Sequence, residues 1–313
     1  MANRPEKFIS CDWGTTNFRL RVVDGDTLAV ITELRSGTGI RQLDADFRES
    51  GKGSRFDYFA DYLSKQLDQL PGEYQYLPVV ASGMASSSIG MKELPYARLP
   101  FGAAGTSLLS KWCEMENRRL LLVSGVLGNG DIMRGEEVQA MGLAREMEQD
   151  GVLILPGTHA KHLTYRESYF TDFTTHMTGE LFDVLVKNSI LSGSVAAGSF
   201  NELERAAFLE GVDTGKTGKL SSSLFRVRVG QVIGKRPPSE NYYYLSGLLI
   251  GEELRHLSRA DGTIYLAASG PTHELYRLAL DRLMDGGLVK IFSEQVVDRA
   301  LHFAHQTLLH QHG

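Results

Sequence analysis

The stretch Phe8-Ile-Ser-Cys-Asp-Trp-Gly-Thr-Thr-Asn-Phe-Arg-Leu-Arg21 decides the fold of this chain. Its first four residues form a short apolar run that is typical of a buried strand, and residues 18–23 alternate in the way of a returning strand. A polar turn joins the two runs. The pattern therefore predicts a β-hairpin whose turn carries polar chemistry.

The turn of this hairpin has the residues of a phosphate and magnesium site. Asp12 supplies a carboxylate where the strand ends, Gly14 lets the backbone approach an anion, and Thr15, Thr16 and Asn17 add donors. Mg²⁺ is usually held by one or two carboxylates together with substrate phosphates, so Asp12 is the predicted metal ligand. An ordinary hairpin with an Asx-type turn would explain the same residues.

The run Asp12-Trp-Gly-Thr-Thr-Asn-Phe-Arg19 resembles the first phosphate motif of the superfamily of sugar kinases, hexokinase, actin and heat-shock chaperones. The resemblance implies two ribonuclease-H-like α/β domains with an interdomain cleft, and it places Arg19 among the phosphate-binding residues. It also implies a second glycine/threonine loop at the start of a second domain and a small-residue adenosine loop near the C-terminus.

Length and composition favour a soluble globular protein of two domains. The chain has 313 residues, 42% hydrophobic and 23% charged, with a net charge of −5, so no basic surplus favours nucleic acid or a membrane surface. No apolar run reaches the roughly 20 residues of a membrane helix, and no signal peptide is recognisable, which predicts a cytoplasmic protein. Four histidines of the tail lack metal-site spacing and predict a solvated helix end: His302, His305, His310 and His312.

A second phosphate loop follows a reset of composition at residues 149–151. The apolar run 152–155 leads into Pro156-Gly-Thr-His-Ala-Lys-His162, and a further hairpin pattern follows it. The superfamily resemblance implies phosphate or ATP binding by Gly157, Thr158, His159 and Lys161, although a polar turn explains them too. We therefore predict a sugar-binding domain with the first phosphate loop at 1–149 and a nucleotide-binding domain at 150–313.

The predicted adenosine loop is Ser269-Gly270-Pro271, after the apolar strand pattern 263–268 and before a helix. Small residues let an adenine ring lie against the backbone, and a helix N-terminus favours a nearby phosphate. The run Gly211-Val-Asp-Thr-Gly-Lys-Thr217 imitates a Walker A motif, but Glu210 stands where that motif needs glycine. We interpret it as a polar connector.

Two glycine- and serine-containing loops and several arginines are the candidates for substrate binding. They are Arg35, Gly37, Ser82, Gly83, Met84, Arg98 and Arg134. A plain connector or a serine-rich surface loop accounts for the two loops almost as well. If the substrate carries a carboxylate, it requires a cation or a cluster of donors, and Arg41 joins the candidate cations.

The catalytic base is expected in the loop 127–137, because sugar kinases of the superfamily carry their base after a strand of the first domain and near the next helix. Asp131, Glu136 and Glu137 compete. Acidic residues are common in a first helical turn for electrostatic reasons alone. The sequence therefore favours Asp131, with Glu136 as its rival.

Within the superfamily, three segments most resemble the 2-dehydro-3-deoxygalactonokinase family: residues 12–19, Met133-Arg-Gly-Glu-Glu-Val-Gln139 and Leu155-Pro-Gly-Thr-His-Ala-Lys-His162. The resemblance implies phosphorylation of the 6-hydroxyl of 2-dehydro-3-deoxy-D-galactonate by ATP and Mg²⁺ in galactonate catabolism. The alternatives are a kinase for another small sugar or sugar acid and a non-catalytic nucleotide- or sugar-sensing regulator. The sequence leaves a homodimer open.

Overall fold

The computed structural model describes residues 5–51, 53–258, 261–284 and 286–312. The chain divides into two compact units. The first contains Met1–Glu148, Arg166–Phe173 and Gln295–Gly313, and the second contains Gln149–Tyr165 and Thr174–Glu294. The C-terminal segment, which the sequence analysis assigns to the second domain, thus belongs to the first unit. The binding roles assigned to the two domains stay predictions.

The main sheet of the first unit has six strands in the order β3-β2-β1-β4-β8-β7. The antiparallel hairpin of β1 and β2 lies beside β4 and β8, which run parallel to β1. The strands are β1 (Lys7–Trp13), β2 (Phe18–Asp24), β3 (Val30–Ser36), β4 (Val79–Gly83), β7 (Ser110–Met115) and β8 (Arg118–Val123).

One face of this sheet packs on the first two helices of the chain, α1 (Ile40–Ser50) and α2 (Arg55–Leu67). The apolar side chains of β1 face this core in alternate positions, and Trp13 is fully buried there. Its ring lies 4.9 Å from Phe18 and 5.9 Å from Phe59, measured between ring centroids. The same alternation turns Asp12 to the opposite face.

The remaining elements of the first unit lie around that opposite face and at the strand ends. A small sheet has the order β10-β9-β5. A glycine of α3 would bring a Cβ within 1.9 Å of a carbonyl of α9, so these two helices pack closely. The elements are β5 (Ala97–Arg98), β6 (Phe101–Gly102), β9 (Val126–Leu127), β10 (Ile132–Met133), α3 (Glu136–Leu143) and α9 (Glu294–Gln311), of which all but the first residue of α9 fall in this unit.

The sheet of the second unit has the order β15-β14-β11-β12-β13. Its strands β11 and β12 form an antiparallel hairpin, and β14 and β15 extend the sheet in parallel. The start of β13 is assigned to the first unit, where it pairs with β6. The strands are β11 (Gly151–Leu155), β12 (Ala160–Arg166), β13 (Tyr169–His176), β14 (Thr263–Leu266) and β15 (Val289–Ile291).

Glycines determine the helix packing of the second unit. A Cβ on Gly211 would lie 2.2 Å from the carbonyl oxygen of Tyr244, and one on Gly247 would lie 2.0 Å from that of Phe208. Most of the segment that imitates a Walker A motif, residues 211–217, lies in helix α5 (Glu202–Gly215). Its glycines allow close contact with helix α7 (Pro238–Leu254). The helices are α4 (Thr178–Asn188), α5 (Glu202–Gly215), α6 (Leu220–Val232), α7 (Pro238–Leu254) and α8 (Gly270–Leu283).

Both units share one strand order. In the first unit the order β3-β2-β1 continues with β4 and β8, and in the second unit the order β13-β12-β11 continues with β14 and β15. This repeated mixed sheet confirms the predicted α/β fold class of two ribonuclease-H-like domains. Among the described residues, no helix is long and apolar enough to cross a membrane.

Candidate active site

The first predicted phosphate turn is held by the start of α1. Inside the turn, the Gly14 N–H donates to the Asn17 carbonyl at 2.9 Å, and the Ile40 N–H donates to the Gly14 carbonyl at 3.0 Å. Gly39 lies so close that a Cβ there would sit 2.4 Å from the carbonyl oxygen of Thr15. The turn therefore has a fixed backbone, while its residues Thr16 and Asn17 remain exposed.

Asp12 lies at the end of β1, between Arg19 on one neighbouring strand and Ser82 on the other. Burial raises the pKa of the Asp12 carboxyl, Arg19 and Arg21 act to lower it, and Glu136 raises it further. The structure thus brings together four residues that the sequence assigns to four different roles: Asp12, Arg19, Ser82 and Glu136.

Two glycines allow α3 to approach the end of β4. Gly83 has a φ of +85°, and a Cβ on it would lie 2.7 Å from the carbonyl oxygen of Trp13. Gly135 has a φ of +113°, and a Cβ on it would lie 3.2 Å from the Cα of Gly83. Because L side chains rarely adopt such φ values, glycine is required at both positions. The contact sets the first turn of α3 against the strand ends.

The two glutamates that begin α3 differ in their exposure. Glu137 is fully buried, and its carboxylate accepts the Gly135 N–H at 2.7 Å and 2.9 Å. Burial and the neighbouring Glu136 raise the pKa of Glu137 to about 8. Glu136 is half-buried and accepts the Arg134 N–H at 3.1 Å. Of the two carboxylates, only Glu136 is accessible to a substrate.

Asp131 lies in the turn of the β9–β10 hairpin. Its carboxylate accepts the Ile132 N–H at 2.7 Å, and its carbonyl oxygen accepts the Gly128 N–H at 2.8 Å. The hairpin pairs with β5, where Arg98 lies opposite Leu127. A cavity of 290 Å³ opens beside it, and its lining includes Arg98, Asn129 and Thr171.

The other substrate-side candidates have contacts of their own. The Arg134 guanidinium donates to the Ser86 carbonyl at 2.7 Å and stacks over the ring of Tyr96 at 4.3 Å. Arg35 is 65% exposed and pairs with Glu33. Gly37 has open space around its Cα, and Met84 packs against the core of the first unit.

Two tail histidines are buried, so the prediction of a solvated helix end is wrong for them. His305 Nδ1 lies 2.8 Å from the Ser10 hydroxyl, and its Nε2 lies 3.0 Å from the Ser82 hydroxyl. Burial lowers the pKa of His305 to about 3, and burial together with Arg21 lowers that of His302 to about 4. A neutral histidine thus supports Ser82, the neighbour of Asp12.

The second predicted phosphate turn, between β11 and β12, is held in the same way by the start of α4. The Glu180 N–H donates to the Thr158 carbonyl at 3.0 Å, and a Cβ on Gly179 would lie 2.5 Å from the Gly157 carbonyl oxygen. His159 Nε2 lies 2.5 Å from the Glu180 carboxylate. The buried Lys161 donates to the His159 carbonyl at 3.2 Å. These contacts hold the turn against the start of α4.

A cavity of 210 Å³ lies beside this second turn. Gly157 of the turn and Pro271 of the predicted adenosine loop both line it, and most of the remaining wall is apolar. Gly270 begins α8 with a φ of +59°, and its N–H donates to the Glu294 carboxylate at 3.0 Å. Ser269 is the residue that precedes the helix. The structure thus joins the two loops assigned to the nucleotide.

The rest of the lining of this cavity comes from three helices. They contribute Thr178, Gly179, Phe182, Tyr242, Ser246, Leu249, Ile250, Thr272, Leu275 and Tyr276. A mostly apolar wall with a few polar groups is usual for a small-molecule site. Within the described ranges, no group of three or more His, Cys, Asp or Glu side chains could hold a metal ion by itself.

Comparisons with known proteins identify the family of this chain. The family model of 2-keto-3-deoxy-galactonokinase matches residues 12–302. A probable 2-dehydro-3-deoxygalactonokinase of Rhizobium meliloti (strain 1021) is 31% identical over 284 residues, 88% of this chain and 89% of the relative. The 2-dehydro-3-deoxygalactonokinase of Escherichia coli (strain K12) is 30% identical over 255 residues, 79% of each chain.

A solved structure of a protein named for the same activity, from Sinorhizobium meliloti, superposes with a TM-score of 0.79 at 28% identity and 95% coverage of both chains. The family-model match, residues 12–302, includes both turns and the start of α3. The chain belongs to the 2-keto-3-deoxy-galactonokinase family.

Proposed function

We propose that this enzyme transfers the γ-phosphoryl group of ATP to the 6-hydroxyl of 2-dehydro-3-deoxy-D-galactonate, with Mg²⁺, in galactonate catabolism. Family membership establishes a kinase that acts on 2-keto-3-deoxygalactonate with ATP as donor; the hydroxyl position, the metal and the residue roles are the proposal. The observation that carries it is the pair of carboxylates, Asp12 and Glu136, beside the first phosphate turn.

ATP is assigned to the cavity of the second unit. Its apolar wall, which includes Leu249, Ile250 and Leu275, suits the faces of an adenine ring. Gly157 at one side of the cavity then places the phosphates along the second turn, whose backbone is held by α4. The proposed site holds the nucleotide through its shape and the backbone groups of the second turn, with Lys161 on the strand that leaves this turn.

The donor set at Asp12 fits a magnesium ion. Mg²⁺ usually retains waters and takes only one or two protein carboxylates beside the phosphates, which agrees with the absence of a larger acidic cluster among the described residues. Burial raises the pKa of the Asp12 carboxyl although Arg19 and Arg21 act to lower it, so a bound cation would favour its ionised form. Bound there, the ion would neutralise charge that develops on the phosphates.

Glu136 is the proposed general base. It is the accessible carboxylate at the start of α3, and its charge acts directly on Asp12. One of its oxygens would accept the hydroxyl proton of the substrate as the phosphoryl group is transferred. Asp131, which the sequence favours, lies in the β9–β10 turn and remains the alternative.

The substrate carboxylate is assigned to Arg98. Arg134 already donates to Ser86 and stacks on Tyr96, and Arg35 is paired with Glu33. Arg98 instead is exposed and lines a cavity together with Asn129, which could add an amide donor. An arginine and an amide are suitable partners for a carboxylate.

The decisive experiment is a coupled ADP-release assay with a panel of sugar acids and neutral sugars, followed by NMR of the product to locate the phosphate. We expect turnover of 2-dehydro-3-deoxy-D-galactonate with phosphate on C6 and much poorer use of neutral hexoses. Equal turnover of glucose or xylulose would refute the substrate assignment, and no turnover of any sugar would favour a regulator. Light scattering on the same preparation tests for a homodimer, and fractionation tests the cytoplasmic location.

A further inference from the structure

A buried carboxylate on α7 joins three other elements of the second unit. Glu253 is 2% exposed, and its carboxylate is the common partner of three side chains. His162 Nε2 lies 2.9 Å from one oxygen, the Tyr276 hydroxyl donates to the other at 2.7 Å, and the Thr178 hydroxyl donates to that same oxygen. These partners belong to β12, α8 and α4.

Two of the three partners belong to the wall of the cavity assigned to ATP. Thr178 and Tyr276 line it directly. Thr178 is also the first residue of α4, the helix whose next residues, Gly179 and Glu180, hold the second phosphate turn. His162 lies on β12, which leaves that turn. Glu253 itself does not line the cavity, so it can act on a ligand only through its partners.

Core packing alone does not require a carboxylate at this position. Burial acts to raise the pKa of Glu253, yet the bonds from His162, Thr178 and Tyr276 lower it below its ordinary value, so the group stays ionised. A leucine, as at Leu254 next along α7, would fill a core position without desolvating a charge. A charge that is retained in a core and satisfied by three donors specifies geometry.

We propose that Glu253 is a positioning residue for the nucleotide: through Thr178 and Tyr276 it fixes the distance between the second phosphate turn and the start of α8. This inference rests on the proposed function, because it takes the cavity to be the ATP site. Removal of the charge weakens the bonds that the hydroxyls of Thr178 and Tyr276 donate, because a neutral amide oxygen is a weaker acceptor than a carboxylate, and lets the two walls move apart. The enzyme then binds ATP less tightly, while the sugar acid, held by the first unit, is bound as before.

The test measures KM for ATP, KM for the sugar acid and kcat in Glu253→Gln. We expect KM for ATP to rise about tenfold or more, since displacement of binding groups by about 1 Å can cost up to about 10²-fold, with KM for the sugar acid changed less than about twofold. The matched control is Glu252→Gln, because Glu252 is the preceding residue of the same helix and pairs with Arg255 at 2.8 Å. Unchanged KM for ATP in folded Glu253→Gln would overturn the proposal.

Two single-bond variants separate positioning from general stability. Tyr276→Phe and Thr178→Val each remove one donor, and each should raise KM for ATP by a few-fold in the wild-type background but add little to Glu253→Gln. Full additivity of the effects would overturn the proposal. If Glu253→Gln does not fold, the two single-bond variants decide: a selective rise in KM for ATP supports it, and equal changes in both KM values refute it.

A variant that fills the cavity distinguishes failure of this inference from failure of the ATP assignment. Leu249→Trp places a large ring in the cavity wall. If it leaves equilibrium binding of an ATP analogue unchanged, the ATP assignment fails and Glu253 loses its proposed role. If Leu249→Trp abolishes binding and Glu253→Gln does not weaken it, the inference about Glu253 alone is refuted.

Discussion

The two phosphate turns have the same support but different chemistry. Each lies between the first two strands of its sheet, and each is packed by a glycine near the start of a helix, Gly39 in the first unit and Gly179 in the second. In each, a backbone N–H of that helix donates to a carbonyl of the turn. The same backbone arrangement for holding an anion therefore occurs in both units.

The strand residues beside the turns are not repeated. The last pair before the first turn is Trp13 with Phe18, and before the second it is Leu155 with Lys161. One pair further back, the first hairpin has Asp12 opposite Arg19, whereas the second has the apolar Ile154 opposite His162. The first turn thus has a carboxylate and an arginine beside it, whereas the second has Lys161 and His162 and no carboxylate at the matching strand positions.

The buried groups behind the turns differ in the same sense. Behind the first turn lies a neutral histidine, His305, between two serines. Behind the second lies Glu253, an ionised carboxylate with three partners. We infer that the histidine directly behind the first turn stays neutral beside the carboxylates of Asp12 and Glu136, and that the group behind the second turn is a fixed charge that holds the cavity walls.

The largest effect is expected from Asp12→Asn, which makes the first turn resemble the second in lacking a carboxylate. The change should lower kcat by about 10³-fold or more, because the amide loses the charge that attracts magnesium, while the thermal unfolding temperature stays near that of the wild type. Asp26→Asn, in the exposed turn at the other end of the hairpin, is the control. Near-normal rates of Asp12→Asn at limiting Mg²⁺ would show that the two turns are equivalent.

A second prediction concerns the base that accompanies only the first turn. Glu136→Gln should lower kcat by about 10²- to 10⁴-fold with little change in ATP binding, since a positioned base contributes that factor. Asp131→Asn should have a much smaller effect, because its carboxylate caps its own hairpin turn. Rate measurements on both variants that give the reverse order would return the base to Asp131, the residue that the sequence favours.

The sequence predicted both turns because strand, glycine and hydroxyl residues follow one another locally in each. It could not predict the buried groups behind them. The bonded pair of Ser10 and His305 is separated by 295 positions, and that of His162 and Glu253 by 91. A polar residue in a helical pattern is normally assigned to the wet face. The partner of each buried helix residue lies on a strand that is distant in the sequence, and the folded sheet brings the two side chains together.

The choice between Asp131 and Glu136 as the base shows the same limit of sequence-based prediction over a shorter stretch of chain. Both carboxylates follow one buried strand, and the sequence distinguishes them only by helix-capping preference. Asp131 lies in the turn of the short β9–β10 hairpin, whereas Glu136 begins α3 after that hairpin. The contact between Gly83 and Gly135 brings Glu136 to Asp12. The positive φ values of these glycines are not encoded in any periodic pattern.

A third prediction tests the shared device with a matched pair of substitutions. Gly39→Ala and Gly179→Ala should each displace a turn, because a Cβ would lie within 2.5 Å of turn atoms in both cases. We expect Gly39→Ala to lower kcat about tenfold and Gly179→Ala to raise KM for ATP about tenfold. Gly72→Ala and Gly193→Ala are controls, since nothing lies within 4 Å of their Cβ positions. Identical kinetic changes in Gly39→Ala and Gly179→Ala would contradict the division of roles.

The smallest predicted effect is a difference in the pH dependence of the stability that His305 and Glu253 contribute. His305 has a pKa of about 3 in the folded protein and an ordinary value of 6.5, so only the unfolded chain binds its proton between these values. Stability from this group is therefore complete above pH 6.5 and is lost as the pH falls, by about 1.4 kcal/mol per pH unit. Glu253 also loses stability on acidification, but its lowered pKa confines that loss to pH values below the ordinary 4.5.

Denaturant unfolding at pH 6.5 and pH 5 measures the difference. His305→Gln should reduce the loss of unfolding free energy over this interval by about 2 kcal/mol relative to the wild type, because one differential proton is removed over 1.5 pH units. Glu253→Gln should leave the loss unchanged, whatever its absolute stability. Glu137, whose pKa of about 8 makes it bind a proton more readily in the folded state, acts in the opposite direction but equally in all three proteins, so it cancels from the comparison. If His305→Gln retains the wild-type loss, His305 already carries its proton in the folded protein, and the contrast between a neutral and a charged interior is wrong.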